Sequence, residues 1–104
     1  MLLVLDSDRE LYLFSTIAEA EAALEAIDIE NDEYDFCDES GQRYSPKITS
    51  PMTTFRSGAF QLAPEGQPDP ALPLTFWASA RHLAQPCDDI TTLDDLSARL
   101  HAKI

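Results

Sequence analysis

The chain opens with two short apolar runs, Leu2 to Leu5 and Leu11 to Phe14, separated by the polar stretch Asp6-Ser7-Asp8-Arg9-Glu10. Each run is too short for a buried helix. A polar linker of this length closes readily into a turn, so the segment reads as a β-hairpin. A chain that begins this way has to build a sheet, and the rest of the sequence supplies the pieces.

Thr16 opens a helix. Its hydroxyl can cap, and Glu19 stands three residues on, which is the capping-box pattern. Ile17, Ala20, Leu24 and Ile27 follow at helical spacing, with Glu19, Glu21 and Glu25 on other faces. Asn31-Asp32 breaks the pattern. Tyr34, Phe36 and Cys37 then read as a strand, Glu39 to Gln42 as a turn, and Arg43 to Thr49 as the returning strand. Pro46 demotes that strand to an edge or splits it. A further strand is expected over Thr53 to Leu62, with Gly58 allowing a bulge.

Residues 63–73 hold four prolines and one glycine and are expected to form a loop. Pro73 suits the first turn of a helix whose inner stripe is Leu74, Trp77, Ala80 and Ala84, and Pro86 stops it. A last helix starts at Thr91 or Thr92. Asp94 and Asp95 lie in its first turn, where the helix dipole favours negative charge. Leu93, Leu96, Leu100 and Ile104 form its apolar stripe, and His101 and Lys103 its basic end.

The element order is strand, strand, helix, three strands, helix, helix. The expected fold class is α+β: a small mixed or antiparallel sheet of about four to five strands, with about three helices packed on one face. The 104 residues make one domain, an acidic half over 1–45 and a neutral half over 46–104. At this size about 65% of the unfolded surface is buried, so a core forms without disulfides or metal.

Charge is the least ordinary property. The chain carries 19 acidic and 7 basic residues, a net charge of −12. Residues 1–42 hold thirteen of the acids and only Arg9, whereas residues 43–104 hold six acids and six bases. The densest run contains Asp28, Glu30, Asp32, Glu33, Asp35, Asp38 and Glu39 with no base among them, and Tyr34 lies within it. Such a run is either a solvated face or a docking surface for a basic protein. Those seven carboxylates and Tyr34 are the candidate partner-binding residues. Nucleic acid and anionic membrane are excluded as expected partners, because both repel a polyanion. The amino-terminal residues lack a basic region and a long apolar run, and no stretch approaches a membrane span. A cytoplasmic protein with reduced Cys37 and Cys87 is expected.

No catalytic constellation can be assembled. Asp28, Glu30, Asp32 and Glu39 fall at positions 1, 3, 5 and 12 of a calcium-loop pattern, but Glu33 stands where that loop needs glycine. Cys37, Cys87, His82 and His101 lack zinc-site spacing. Cys87 with His82 is a poor nucleophile and base, since a helix end is expected between them. Ser57-Gly58 lacks the glycine that precedes a nucleophile elbow. With three glycines in all, no phosphate-cradling loop exists. Trp77 reads as core. The expectation is a binding protein, not an enzyme, with no cofactor and no metal.

The segments Leu3-Val4-Leu5-Asp6-Ser7-Asp8, Leu11-Tyr12-Leu13-Phe14, the alanine-glutamate helix, Glu33-Tyr34-Asp35-Phe36 and Asp38-Glu39-Ser40-Gly41-Gln42-Arg43-Tyr44 resemble small acidic immunity proteins of bacterial polymorphic toxin systems, the antidotes to contact-dependent or type VI-secreted toxins. The resemblance covers residues 1–45. It implies a tight stoichiometric complex with a toxin domain that has a basic surface. The alternative expectation is an acidic adaptor or regulatory binding module for a basic protein, with a nucleic-acid mimic as one form of it.

Overall fold

In the computed structural model, residues 1–24, 33–50 and 59–102 are described. They form six strands and three helices: β1 Leu2–Asp6, β2 Glu10–Phe14, α1 Ile17–Ala23, β3 Tyr34–Asp38, β4 Arg43–Ser50, β5 Ala59–Glu65, α2 Leu72–Ser79, β6 His82–Gln85 and α3 Leu93–His101. The strands make one sheet in the order β5-β4-β3-β1-β2-β6. All neighbours are antiparallel except β2 and β6, which run parallel, so the sheet is mixed.

The opening hairpin forms as expected, with Leu2 opposite Phe14 and Leu5 opposite Leu11. Its turn is organised by Asp6. The Asp6 carbonyl accepts from Arg9 N–H (3.0 Å), and Asp6 Oδ1 accepts from the N–H groups of Asp8 and Glu10 (both 2.9 Å). The turn forces Arg9 to φ 64, in the left-handed region, which costs about 1–2 kcal/mol for a residue with a side chain. Tertiary bonds offset this strain. Arg9 Nε donates to the Ser79 carbonyl (3.0 Å), and the Arg9 carbonyl accepts from Arg81 N–H (2.7 Å).

That same contact explains the sixth strand. The helical reading through Ala84 and the expectation of four to five strands are both corrected here. α2 stops at Ser79 because Arg9 captures its last carbonyl and the Arg81 amide, and Ala80 is already extended at ψ 136. The chain then lies along β2, pairing Glu10 with His82 and Leu11 with Leu83. His-Leu-Ala-Gln has no strand signature of its own, since only Leu83 is half-buried; tertiary pairing overrides its local preference.

The helices cover both faces of the sheet, not one. Successive strand residues point to opposite faces, and β1 supplies both cores. Leu3 packs with Leu11, Leu13, Cys37, Phe76, Leu96 and Leu100 under α2 and α3. Leu2 and Val4 pack with Phe14, Ala20, Phe36 and Phe60 on the α1 side. α1 is capped by Thr16, whose hydroxyl accepts from Glu19 N–H (3.2 Å), while Glu19 Oε2 accepts from Ser15 N–H (3.2 Å). α1 ends at Ala23, with Leu24 extended; Ile27 lies outside the described residues. α3 repeats the cap with Thr92 and Asp95 (3.1 Å) and buries Leu96 and Leu100. Ile104 lies outside the described residues. Trp77 is half-buried beside the α2–α3 core and donates from Nε1 to the Leu93 carbonyl (2.9 Å).

The prolines act at strand edges. Asp38 N–H donates to the Gln42 carbonyl (3.0 Å), which fixes the alternation of the β3–β4 ladder and makes Phe36–Tyr44 a bonded pair. The next bonded rung would need an N–H at Pro46, and the pairing stops at Tyr44. Beyond it β4 is held by β5, with Pro46 opposite Leu62. Pro64 lies inside β5, opposite Tyr44, which corrects the loop expected from residue 63. β5 is an edge strand, where a proline without an N–H leaves no rung unmade. The neighbouring outward amide, Leu62 N–H, donates to Glu21 Oε2 of α1 (2.7 Å). Among the described residues, no helix is long and apolar enough to cross a membrane.

Candidate interaction surface

The described part of the acidic run, Glu33 to Glu39, does not form one surface. Asp28, Glu30 and Asp32 lie outside the described residues. Glu33 is half-buried at the entrance to β3, and β3 carries the rest across the sheet. At about 3.3 Å per residue, its two ends are more than 10 Å apart. Its alternation puts Tyr34, Phe36 and Asp38 on the α1 face, and Asp35 and Cys37 on the α2–α3 face.

The far end of β3 is committed to the fold. Asp38 Oδ1 accepts from Ser40 N–H (2.9 Å), Ser40 Oγ (2.6 Å) and Gln42 N–H (3.1 Å), and Oδ2 accepts from Tyr44 OH (3.0 Å). Burial of Asp38 raises its pKa, but the bonds from Ser40, Gln42 and Tyr44 outweigh this, and the carboxyl is held below its usual range. Glu39 is only 10% exposed. It faces the Met1 amino group at 3.4 Å and accepts both Nε (3.1 Å) and a terminal nitrogen (3.2 Å) of Arg99. This two-pronged bond ties α3 to the β3–β4 turn. In the same turn Gly41, at φ 89, lets its carbonyl accept from Asp69 N–H (3.0 Å). A Cβ on Gly41 would fall 1.8 Å from the Asp69 carbonyl oxygen.

The near end of β3 is different. Asp35 is 66% exposed, with Arg43 at 3.8 Å. Tyr34 stands opposite Asp6, its ring edge-on to Tyr12 (6.4 Å between centroids) and tilted against Phe36 (6.1 Å). The hairpin turn between β1 and β2 closes beside these residues. Its carboxylates Asp6, Asp8 and Glu10 thereby join Glu33 and Asp35 at one end of the sheet. Arg9, the nearest base in sequence, turns its Nε onto Ser79.

At this acidic end Tyr12 OH lies 3.1 Å from both Asp6 Oδ2 and Glu10 Oε2. One phenol proton cannot satisfy two carboxylates at once. Burial, then hydrogen bonding to Glu10 and Asp6, drives the phenol pKa upward, so Tyr12 stays protonated. His82 Nε2 stands 3.3 Å from Glu10 Oε1. The arrangement concentrates negative charge on half-exposed aromatic residues.

Asp6, Asp8 and Glu10 are not in the run of residues 28–39, and a search for charge runs misses them. The signal is the hairpin itself: a polar turn between two apolar runs folds next to whichever strand pairs with β1. Only the strand order tells which strand that is.

The cysteines are buried, and the histidines lie against Glu10 and Ser97. Cys37 is buried, and desolvation pushes its thiol up to about 12, far from the reactive thiolate. Cys87 is buried in the α2–α3 core, 3.1 Å from Ser15 Oγ. His82 faces Glu10, and His101 Nδ1 lies 2.7 Å from the Ser97 carbonyl. Among the described residues, no three His, Cys, Asp or Glu side chains converge as a metal site would require. A shallow depression lined by Gly41, Arg43, Glu65, Asp69 and Leu72 marks where residues 66–71 dock on the β3–β4 turn.

Comparison with protein-family models, with curated proteins and with solved structures finds no match.

Proposed function

We propose that this protein is an immunity protein: it captures a cognate bacterial toxin with a basic surface in a one-to-one complex and neutralises it without turnover. The observation that carries the reading is the acidic end of the sheet. Asp6, Asp8 and Glu10 of the hairpin turn lie at the same end of the sheet as Glu33 and Asp35; Asp6 and Glu10 stand against Tyr12, beside Tyr34, on one face, and Asp35 is on the other. A field of this kind speeds the encounter with a basic protein and selects for it. Half-exposed tyrosines are frequent binding anchors. The resemblance of residues 1–45 to immunity proteins supplies the class of partner.

The test is a titration. The toxin candidate encoded beside this chain is expressed alone and with it, and toxin activity is followed in vitro as the ratio of the two proteins is raised. Activity should fall in proportion and vanish near one equivalent. Abolition by catalytic traces would make the protein an enzyme acting on the toxin or its target. A neighbour that is harmless alone would remove the toxin and leave the adaptor alternative, which a pull-down from the native host would then identify.

A further inference from the structure

We draw no further inference here: the strongest candidate, the outer edge of β6 from His82 to Gln85, is four residues long, irregular at Ala84 and followed directly by Pro86, and nothing in the structure shows what strand would cover it.

Discussion

The two ends of β3 carry the same kind of side chain in opposite circumstances. At the far end, Asp38 and Glu39 are filled with donors: backbone amides, a serine and a tyrosine hydroxyl, an arginine and the Met1 amino group. At the near end, Asp35 has one arginine at 3.8 Å, Asp8 is exposed, and Glu10 has His82 and a share of the Tyr12 phenol proton, while Asp6, which accepts two turn amides, belongs with the donor-rich carboxylates. Carboxylates with many donors hold a fold together. Carboxylates with few keep their field open, and these are the ones proposed to meet a partner. Seen as sequence, Glu33, Asp35, Asp38 and Glu39 are equivalent; β3 places them in different surroundings.

If that division is right, changes at the far end should cost stability and leave partner capture alone. The largest effect is expected at Gly41. Gly41→Ala puts a Cβ into the Asp69 carbonyl and a side chain at φ 89. Backbone strain of about 1–2 kcal/mol adds to the loss of the 66–71 loop contact. The expected total is about 3 kcal/mol, a fall in Tm on the order of 10–20 °C. Thermal unfolding measures it. A Tm within about 2 °C of wild type would mean that residues 66–71 are not held against this turn.

Glu39→Gln comes next. It removes the charge that Arg99 and the Met1 amino group share while keeping the shape. Loss of charge-assisted bonds at a mostly buried carboxylate should cost about 2 kcal/mol, less than a fully buried pair because Arg99 is 46% exposed. Denaturant unfolding should show a lower midpoint with an unchanged slope. If α3 is instead held by Leu96 and Leu100 alone, Glu39→Gln will be nearly silent.

Asp38→Asn should cost about 1 kcal/mol at neutral pH, and pH tells its mechanism apart from simple loss of shape. The folded-state pKa of Asp38 lies below its usual value. Its contribution is therefore present above the unfolded pKa of about 3.9 and is lost as pH falls through the folded value. Wild type should lose stability faster than Asp38→Asn between about pH 5 and pH 2, so that the two curves converge. Parallel curves across that range would show that the charge of Asp38 does not matter to the fold.

How much of this was legible beforehand follows the range of the interactions. Local signals read true. Thr16 with Glu19 and Thr92 with Asp95 start helices as their spacing says, and Leu11-Tyr12-Leu13-Phe14 is a strand. The two-faced packing had a signal too: Leu2-Leu3-Val4-Leu5 does not alternate with polar residues, the pattern of a strand covered on both sides. β6 had none, because its pairing depends on Arg9 reaching α2 across 70 residues of sequence. Pro64 misled for a similar reason. A proline forbids a central strand but not an edge, and only the strand order says which strand is the edge. The acidic end likewise needed the register of β1 with β2 and β3.

The smallest effect on stability, and the most informative for function, is expected at the near end. Asp8→Asn, Glu10→Gln and Asp35→Asn together remove three charges and keep the shapes. Asp6 is left in place because its carboxylate organises the turn. Asp8 is exposed, and the pair of Asp35 with Arg43 is an open surface contact worth about 0–1 kcal/mol. With Glu10 neutral, the Asp6 carboxylate becomes the stronger of the two acceptors for Tyr12 OH. Stability should stay within about 0.5 kcal/mol of wild type, and relief of like-charge repulsion favours the upper side of that range. Capture of a basic partner should suffer instead. The association rate at low salt is expected to fall about 3- to 10-fold, a share of the 10- to 1,000-fold that steering provides, and the two proteins should converge as salt rises. Net charge alone is controlled for by Glu65→Gln, Asp89→Asn and Asp94→Asn, which remove as many charges from exposed positions elsewhere. Stopped-flow mixing with the partner measures both triples. If they slow association equally, only total charge steers and the acidic end is no special surface. If neither does, the partner docks elsewhere and the carboxylates at this end of the sheet are a solvated surface.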